Sequence, residues 1–278
     1  MNTIRLDDIR LTPDLQSRWS ALLALIKEMQ SVVVALSGGV DSGLLAAAAY
    51  AALGDKMLAV TISSPVESAG DVESAQKLAA LIGFPLRIIE HDDLASPEFV
   101  ANPPDRCYHC KLIRFNSMKE LAAREGYACL LEGSNADDLS DYRRGRRAVL
   151  ETGVRSPLQE LGISKSEIRA LAHALNLPLW NRPSAPCLAT RFPYGSLITP
   201  QGLHQVAEGE RYLRELGFGT LRVRHHGSVA RLEVAEEDME KLMSLRAQVY
   251  AFFKQLGFNY VALDLAGYRS GSLNEGLI

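Results

Sequence analysis

The sequence has little of what secreted, membrane or nucleic-acid-binding proteins need. It holds four cysteines in 278 residues, too few to staple a chain that can build its own core. Its longest apolar run, residues 44–53, falls short of the ~20 residues that cross a bilayer, and residues 1–10 lack the apolar stretch of a secretory signal. With 30 basic and 33 acidic residues, the net charge is −3. We therefore expect a cytoplasmic protein with no membrane partner, and the charge argues against nucleic acid.

The sequence does contain a regular alternation of strand-like and helical segments. Strand-like runs occur at residues 31–36, 57–63, 85–90 and 128–131, and helical patterns at 14–30, 42–53, 71–82 and 111–125. Glycines close most of these helices. The alternation predicts an α/β fold with a doubly wound parallel sheet. On such sheets, ligands bind beyond the carboxyl ends of the strands.

The pattern changes after a proline-rich stretch at residues 178–200. Beyond it, we predict helices near 201–216 and 237–256, a hairpin of strands 220–225 and 229–234, and a last strand at 258–265. This succession is typical of a small α+β domain. The predicted domains are therefore residues 1–195 and residues 196–278.

A glycine-rich turn, residues 37–42, follows the first strand and reads Ser-Gly-Gly-Val-Asp-Ser. Glycines let the backbone approach a phosphate, and the N–H groups and dipole of the next helix attract anions. The turn is not a Walker A loop, because Gly-Lys-Ser/Thr is absent. A Gly-Gly pair alone is more often an ordinary tight turn, so this feature by itself leaves both interpretations open.

In this context the whole hexapeptide resembles the pyrophosphate loop of the N-type ATP pyrophosphatases, the PP-loop superfamily. That superfamily includes GMP, NAD and asparagine synthetases and RNA thiolases. The resemblance implies that ATP is split into pyrophosphate and an adenylate. It assigns the pyrophosphate end to Ser37, Gly38, Gly39, Asp41 and Ser42, with Asp41 helping to hold Mg²⁺ as a catalytic residue.

A second block, residues 133–138, is similar to the superfamily's second nucleotide and metal loop. Its candidate binding residues are Gly133, Asn135 and Asp137. Carboxylates suit a hard cation such as Mg²⁺ bound to ATP. Ser63, at the end of the second predicted strand, is a further candidate for the adenosine.

The cysteines stand in three different contexts. Cys107 and Cys110 form a C-x-x-C pair, which indicates metal or redox chemistry, but a structural zinc site needs four ligands and no second pair exists. Cys129 lies in an apolar strand and is predicted to belong to the core. Cys187 lies in the proline-rich loop near Arg191, whose charge could favour a thiolate, so reactive and structural roles are equally open there.

Residues 102–111 and 186–195 resemble the LarE family, and the likeness runs from about residue 12 to the C-terminus. These ATP-dependent sulfur transferases make the nickel-pincer nucleotide of lactate racemase. The resemblance implies that pyridinium-3,5-biscarboxylic acid mononucleotide, a small-molecule nucleotide, is the substrate. Its carboxylate is adenylated, a thiolate displaces AMP, and C–S cleavage leaves a thiocarboxylate. The product of two such rounds would pass to a nickel-inserting maturation protein.

LarE family members differ in how many of these cysteines they carry. Members with only the counterpart of Cys187 sacrifice it, and it becomes dehydroalanine. Members that also match Cys107 and Cys110 resemble a three-thiolate site for a 4Fe–4S cluster, with one iron left open. This sequence has all three cysteines, so we expect the cluster-bearing variant, with sacrifice of Cys187 alone as the alternative.

The small domain supplies the other predicted ligands. Glu210 falls on the apolar stripe of its helix, where a buried salt bridge explains it as well as a function does. Arg222 and Arg224 share one face of the hairpin, which could equally be a solvated face. The family resemblance assigns these arginines to substrate phosphate and assigns Glu210 and Glu233 to a metal. It also implies that the domain binds substrate and joins a homo-oligomer.

A basic run at residues 143–147 admits several interpretations: a phosphate grip, a solvated loop or a polyanion patch. It slightly favours an alternative function, an RNA thiolase of the same superfamily. The acidic net charge and the lack of an added RNA-binding segment argue against that alternative. A third possibility is a non-catalytic adenine-nucleotide sensor with the same fold, which would release no pyrophosphate.

Overall fold

The computed structural model of the protein describes residues 11–67, 70–139, 145–183, 186–269 and 271–273. Its strands are β1 (Val32–Ala35), β2 (Met57–Ser63), β3 (Leu86–Glu90), β4 (Cys129–Leu131), β5 (Leu221–His226), β6 (Val229–Val234) and β7 (Tyr260–Leu263). Its helices are α1 (Pro13–Glu28), α2 (Val40–Leu53), α3 (Asp71–Ile82), α4 (Pro97–Val100), α5 (Arg106–Glu125), α6 (Arg146–Thr152), α7 (Pro157–Glu160), α8 (Lys165–Ala174), α9 (Pro200–Glu215), α10 (Met239–Ser244) and α11 (Arg246–Gln255). None of the described helices is long and apolar enough to cross a membrane.

The chain divides into two compact units that interleave along the sequence. The first unit takes the described parts of residues 1–64, 69–91 and 107–185, and the second takes those of 65–68, 92–106 and 186–278. The boundary therefore differs from the one predicted at residue 195. The physical reason is long-range hydrogen bonding, since Asn102 donates from Nδ2 to the carbonyl oxygen of Pro193, and its own carbonyl oxygen accepts from the N–H of Gly195.

The first unit contains a parallel sheet in the order β3-β2-β1-β4, which confirms the predicted α/β fold. Val32 and Val34 pack into one core cluster with alanines of α2, whereas Val33 packs into another with Phe115 of α5. The strand is thus covered on both faces, as expected of a parallel sheet. The order reverses between β1 and β4, and that reversal is where doubly wound sheets bind ligands.

The second unit contains the β5–β6 hairpin with β7 parallel to β6. Arg222 stands opposite Glu233 and Arg224 opposite Arg231 in the hairpin register, so the predicted sharing of one face is confirmed. The single helix predicted over 237–256 is wrong, because α10 ends at Ser244 and α11 begins at Arg246. The Ser244 hydroxyl donates to the carbonyl oxygen of Lys241 at 2.7 Å, a local bond that competes with helix continuation.

Candidate functional site

The glycine-rich turn joins β1 to α2 at the point where the strand order reverses. Gly38 has φ +75°, and a Cβ there would lie 2.5 Å from the carbonyl oxygen of Asp71, so only glycine fits. The Ser42 hydroxyl accepts from the N–H of Ser37 at 3.1 Å and lies 2.9 Å from the Ser37 hydroxyl oxygen. The turn thus folds around its own hydroxyls at the N-terminus of α2, where the helix dipole attracts an anion.

We expect Gly38→Ala to destabilise the protein by at least ~2 kcal/mol, because it combines a left-handed residue with a backbone clash. Gly39→Ala is the matched control, since a Cβ at Gly39 meets only the Ser37 hydroxyl, at 3.5 Å. Urea unfolding of both variants measures the difference. Equal stability of the two variants would contradict the steric argument.

The second predicted nucleotide loop lies directly against the first. A Cβ on Gly133 would be 2.9 Å from the backbone nitrogen of Ser42, so glycine permits this close approach. Asn135 is buried, and its Oδ1 accepts from the N–H of Asp137 at 3.0 Å. The structure therefore brings the two predicted loops together. Ser63 ends β2, the neighbour of β1, and so lies along the same edge of the sheet.

Lys165 is a site residue that sequence reasoning missed. Its Nζ donates to Oδ2 of Asp41 at 2.5 Å, and its backbone N–H donates to Oδ2 of Asp137 at 2.9 Å. One residue thereby contacts both nucleotide loops. The capping box formed by Ser164 and Glu167 marks the start of α8 in the sequence. No sequence signal indicates that this helix start lies beside a loop 124 residues away.

Arg182 was also missed, and it supports the backbone of the glycine-rich turn. Its Nη1 donates to the carbonyl oxygen of Gly38 at 2.6 Å, and its Nη2 donates to Oδ1 of Asp71 at 2.7 Å. The two bonds tie the turn to the start of α3. This fixes the backbone shape that an anion would meet.

The C-x-x-C pair lies within α5, which begins at Arg106 and not at residue 111 as predicted. Cys107 is exposed and Cys110 half-buried. Residues three apart on a helix are neighbours on one face, so the two thiols can serve the same ligand. All four cysteines are described, and none forms a disulfide. Cys129 is half-buried on β4 and packs against the core, in agreement with its predicted role.

Part of the basic run at 143–147 packs beside this helix. The Arg147 guanidinium lies 4.5 Å from the ring centre of Tyr108, and its Nε donates to Glu151 at 2.7 Å. Tyr108 donates its hydroxyl to the same glutamate at 2.6 Å. Arg147 thus contributes to the surroundings of the C-x-x-C pair, while residues 143 and 144 lie outside the described part of the chain.

Glu210, a predicted metal ligand, is buried in a bidentate ion pair. Arg191 donates from Nε and Nη2 to its two oxygens at 2.7 and 3.0 Å, and Arg214 donates to Oε2 at 2.8 Å. Burial alone would raise the pKa of Glu210, but the hydrogen bonds and charges of the arginines hold the pKa below its ordinary value. Glu210 is therefore ionised at neutral pH. The Arg191 charge, expected near the Cys187 thiol, is engaged by this carboxylate.

Glu233, the other predicted metal ligand, is likewise held by arginines. Arg224 donates to both of its oxygens at 2.9 Å, and Arg231 donates to Oε1 at 3.0 Å. Among the described residues, no group of three or more histidine, cysteine or acidic side chains could hold a metal ion. A metal role for Glu210 and Glu233 stays a prediction.

A cavity of about 330 Å³ opens beside the hairpin of the second unit. Its lining includes Arg224, His226, Arg231 and Tyr194. Burial and the charges of the two arginines lower the pKa of His226, so its imidazole is neutral at pH 7. The other predicted phosphate ligand, Arg222, donates to the Leu221 carbonyl oxygen at 2.6 Å and is not among the described residues that line the cavity. Two guanidinium groups and a neutral imidazole suit an anionic ligand.

Comparison with known proteins agrees with this arrangement. The NAD synthase family model matches residues 24–101. The chain is 38% identical to pyridinium-3,5-bisthiocarboxylic acid mononucleotide synthase of Lactiplantibacillus plantarum, covering 95% of this chain and 96% of that protein. It is 41% identical to an uncharacterised protein of Synechocystis sp., covering 95% and 99%. One of the subunits of the glutamine-hydrolysing GMP synthase of Methanococcus maripaludis is 31% identical, over 52% of this chain and 50% of its own length.

Proposed function

The chain belongs to the LarE family, and on that premise we propose that it is an ATP-dependent sulfur transferase acting on pyridinium-3,5-biscarboxylic acid mononucleotide. The observation that carries the proposal is the near full-length similarity to the Lactiplantibacillus plantarum synthase. Purified protein incubated with ATP and this substrate should form pyrophosphate and a thiocarboxylate, the latter detected by mass spectrometry. Absence of pyrophosphate would contradict the proposal and would favour the nucleotide sensor.

The first half of the reaction is supported by the two loops of the first unit. The substrate carboxylate attacks the α-phosphorus of ATP, and pyrophosphate leaves. Backbone N–H groups of the turn at 37–42 and the N-terminus of α2 would hold the negative charge of the pyrophosphate. Oxygens of Asp41 and Asp137 are the donors that Mg²⁺ prefers, and Mg²⁺ would offset charge on the phosphates. Lys165 bonds to both carboxylates and adds a fixed positive charge.

The second half of the reaction transfers sulfur. A thiolate attacks the carbonyl carbon of the acyl adenylate, AMP leaves, and a thioester remains. We assign this role to Cys187. Breaking the bond between sulfur and the donor then leaves the sulfur on the substrate as a thiocarboxylate.

We further propose that Cys107, Cys110 and Cys187 are the protein ligands of a 4Fe–4S cluster. The support is chemical: none of them is in a disulfide, and the first two lie one helical turn apart on α5. Three thiolates would leave one iron open to carry an additional sulfide. The donor set therefore fits the group that the family resemblance implies.

Anaerobic reconstitution should load about four irons and about four sulfides per chain. Cys107→Ala and Cys110→Ala should each lower the iron content to less than about one, because two thiolates do not retain the cluster. Cys129→Ala, which changes a cysteine on β4, should keep the full content. Unchanged iron and turnover in the first two variants would contradict the cluster. Loss of the elements of H₂S from the Cys187 peptide after one turnover would establish the sacrificial alternative.

The cavity of the second unit is our candidate for the anionic groups of the substrate. Arg224 and Arg231 face it with His226, and the family resemblance independently assigns Arg224 to substrate phosphate. From the same resemblance we propose that the protein is cytoplasmic, forms a homo-oligomer through the second unit and passes its product to a nickel-inserting protein. A metal at Glu210 and Glu233 would have to compete with the arginines that now bind them.

A further inference from the structure

The loop that carries Cys187 is held by three buried arginines from three separate elements. Arg106 begins α5, Arg191 ends the 3₁₀ turn Leu188–Arg191, and Arg224 lies on β5. Their exposed fractions are 2%, 1% and 6%. Burying a guanidinium is costly unless its charge and its donors are satisfied. The shared target of these three groups therefore calls for an explanation.

Each arginine donates to a backbone carbonyl oxygen within residues 186–190. Nη1 of Arg191 bonds to the oxygens of Pro186 at 2.7 Å and Cys187 at 3.3 Å. Nη1 of Arg106 bonds to Ala189 at 3.1 Å, and Nη1 of Arg224 bonds to Thr190 at 2.8 Å. The carbonyls of the loop are thus bound by side chains from outside it as well as by its own backbone.

The arginines are themselves held in fixed orientations. Glu210 on α9 takes two bonds from Arg191, and Glu233 on β6 takes two from Arg224. Asn102 accepts from Arg106 through a short hydrogen bond. A planar guanidinium in a bidentate pair cannot rotate without breaking a bond. The position of the loop is therefore set by α9, β6 and the segment around Asn102.

The backbone on both sides of Cys187 is restrained further. Its carbonyl oxygen accepts from the N–H of Thr190 at 3.0 Å and from the Thr190 hydroxyl at 2.8 Å. The Leu188 N–H donates to the carbonyl oxygen of Val66 at 2.8 Å. The Thr190 hydroxyl oxygen also accepts from Nη1 of Arg191 at 2.9 Å. Thr190 thus links the Cys187 carbonyl to the buried ion pair.

We infer that the Arg191–Glu210 pair, acting with Thr190, is a positioning device for Cys187 that serves sulfur transfer and not ATP cleavage. The inference rests on the proposed function. Nucleophilic attack requires the sulfur to be held about 3–3.5 Å from the carbon, and a misplacement of about 1 Å costs about a hundredfold in rate. Pyrophosphate formation depends instead on the loops at 37–42 and 133–138, to which neither member of the pair bonds in the described contacts.

Two substitutions test the device without removing a buried charge. Arg191→Lys keeps the charge opposite Glu210 but loses the fork that reaches the carbonyls, and Thr190→Val keeps the size of residue 190 but loses its hydroxyl. Arg211→Lys is the matched control, because Arg211 pairs with Glu208 on the exposed face of the same helix as Glu210. All are compared in a single turnover with protein in excess over substrate.

We expect pyrophosphate formation to stay within about twofold in every variant. Thiocarboxylate formation should fall at least about tenfold in Arg191→Lys and about threefold in Thr190→Val, and should not change in Arg211→Lys. Equal losses in both half-reactions would show a structural role only and would overturn the inference. No loss of sulfur transfer in either variant would overturn it as well. If Arg191→Lys does not fold, Thr190→Val decides.

A second readout separates this inference from the proposed function. Alkylation of Cys187 by iodoacetamide is followed by peptide mass spectrometry, with exposed Cys107 as the internal reference. Freeing the loop should change the Cys187 rate at least about threefold relative to Cys107, because thiol access depends on loop geometry. A wild-type protein that makes no pyrophosphate would refute the proposed function while leaving this readout valid. An unchanged alkylation ratio in both variants would overturn the positioning device.

Discussion

Replacement of Cys187 by serine is expected to abolish thiocarboxylate formation, with a loss of at least about a thousandfold. Both routes proposed for the protein, cluster-bound and sacrificial, require the thiol of this residue. A serine hydroxyl is protonated at neutral pH and is a weak nucleophile without an adjacent base. Even if serine attacked the adenylate, the ester formed would return a carboxylate and not a thiocarboxylate. The substitution therefore removes both the nucleophile and the sulfur.

The same variant should keep pyrophosphate formation in a single turnover, because the loops that bind ATP belong to the first unit and Cys187 to the second. Cys129→Ser is the matched control, since Cys129 packs against the core on β4, outside the proposed chemistry. Product thiocarboxylate is quantified by mass spectrometry, and pyrophosphate by a coupled assay. Continued thiocarboxylate production by Cys187→Ser would show that the sulfur comes from another group.

Lys165→Met should lower the rate of pyrophosphate formation by about 10²–10³-fold. One preorganised donor that stabilises developing charge contributes about this much in enzymes. Lys165 contacts Asp41 at 2.5 Å and Asp137 at 2.9 Å, so its loss removes a positive charge and also loosens the contact between the two loops. The measurement is kcat/KM for ATP with the pyridinium substrate saturating.

Lys77→Met is the control for this prediction, because Lys77 forms an exposed ion pair with Glu73 on α3. The pair of Lys165 with Asp41 is itself partly solvated, and such pairs add no more than about 1 kcal/mol to stability. The melting temperature of Lys165→Met should therefore stay close to that of the wild type. A rate within a few-fold of Lys77→Met would show that Lys165 does not act on the phosphates.

Much of the first unit was predictable because its signals are local. The run Val32–Val34 is buried on both faces, and such runs predict a parallel strand. The turn that follows needs glycine at position 38 for a left-handed residue in close contact with Asp71. Backbone geometry of this kind constrains a short stretch of sequence, so it can be recognised there. The helix start at Arg106 was missed, because the pattern that predicted α5 is apolar and its first turn is polar.

The sequence by itself determined the α/β fold, the glycine-rich turn and the presence of three cysteines in family-specific contexts. It also placed Glu210 on a buried helix face without showing what neutralises it. Only the tertiary structure decided that Arg191 does so, that Lys165 joins the two nucleotide loops, and that residues 92–106 fold with the Cys187 loop. Periodicity reports which face of an element is buried. It carries no information about which distant polar group meets that face, because such partners are set by the packing of elements in space.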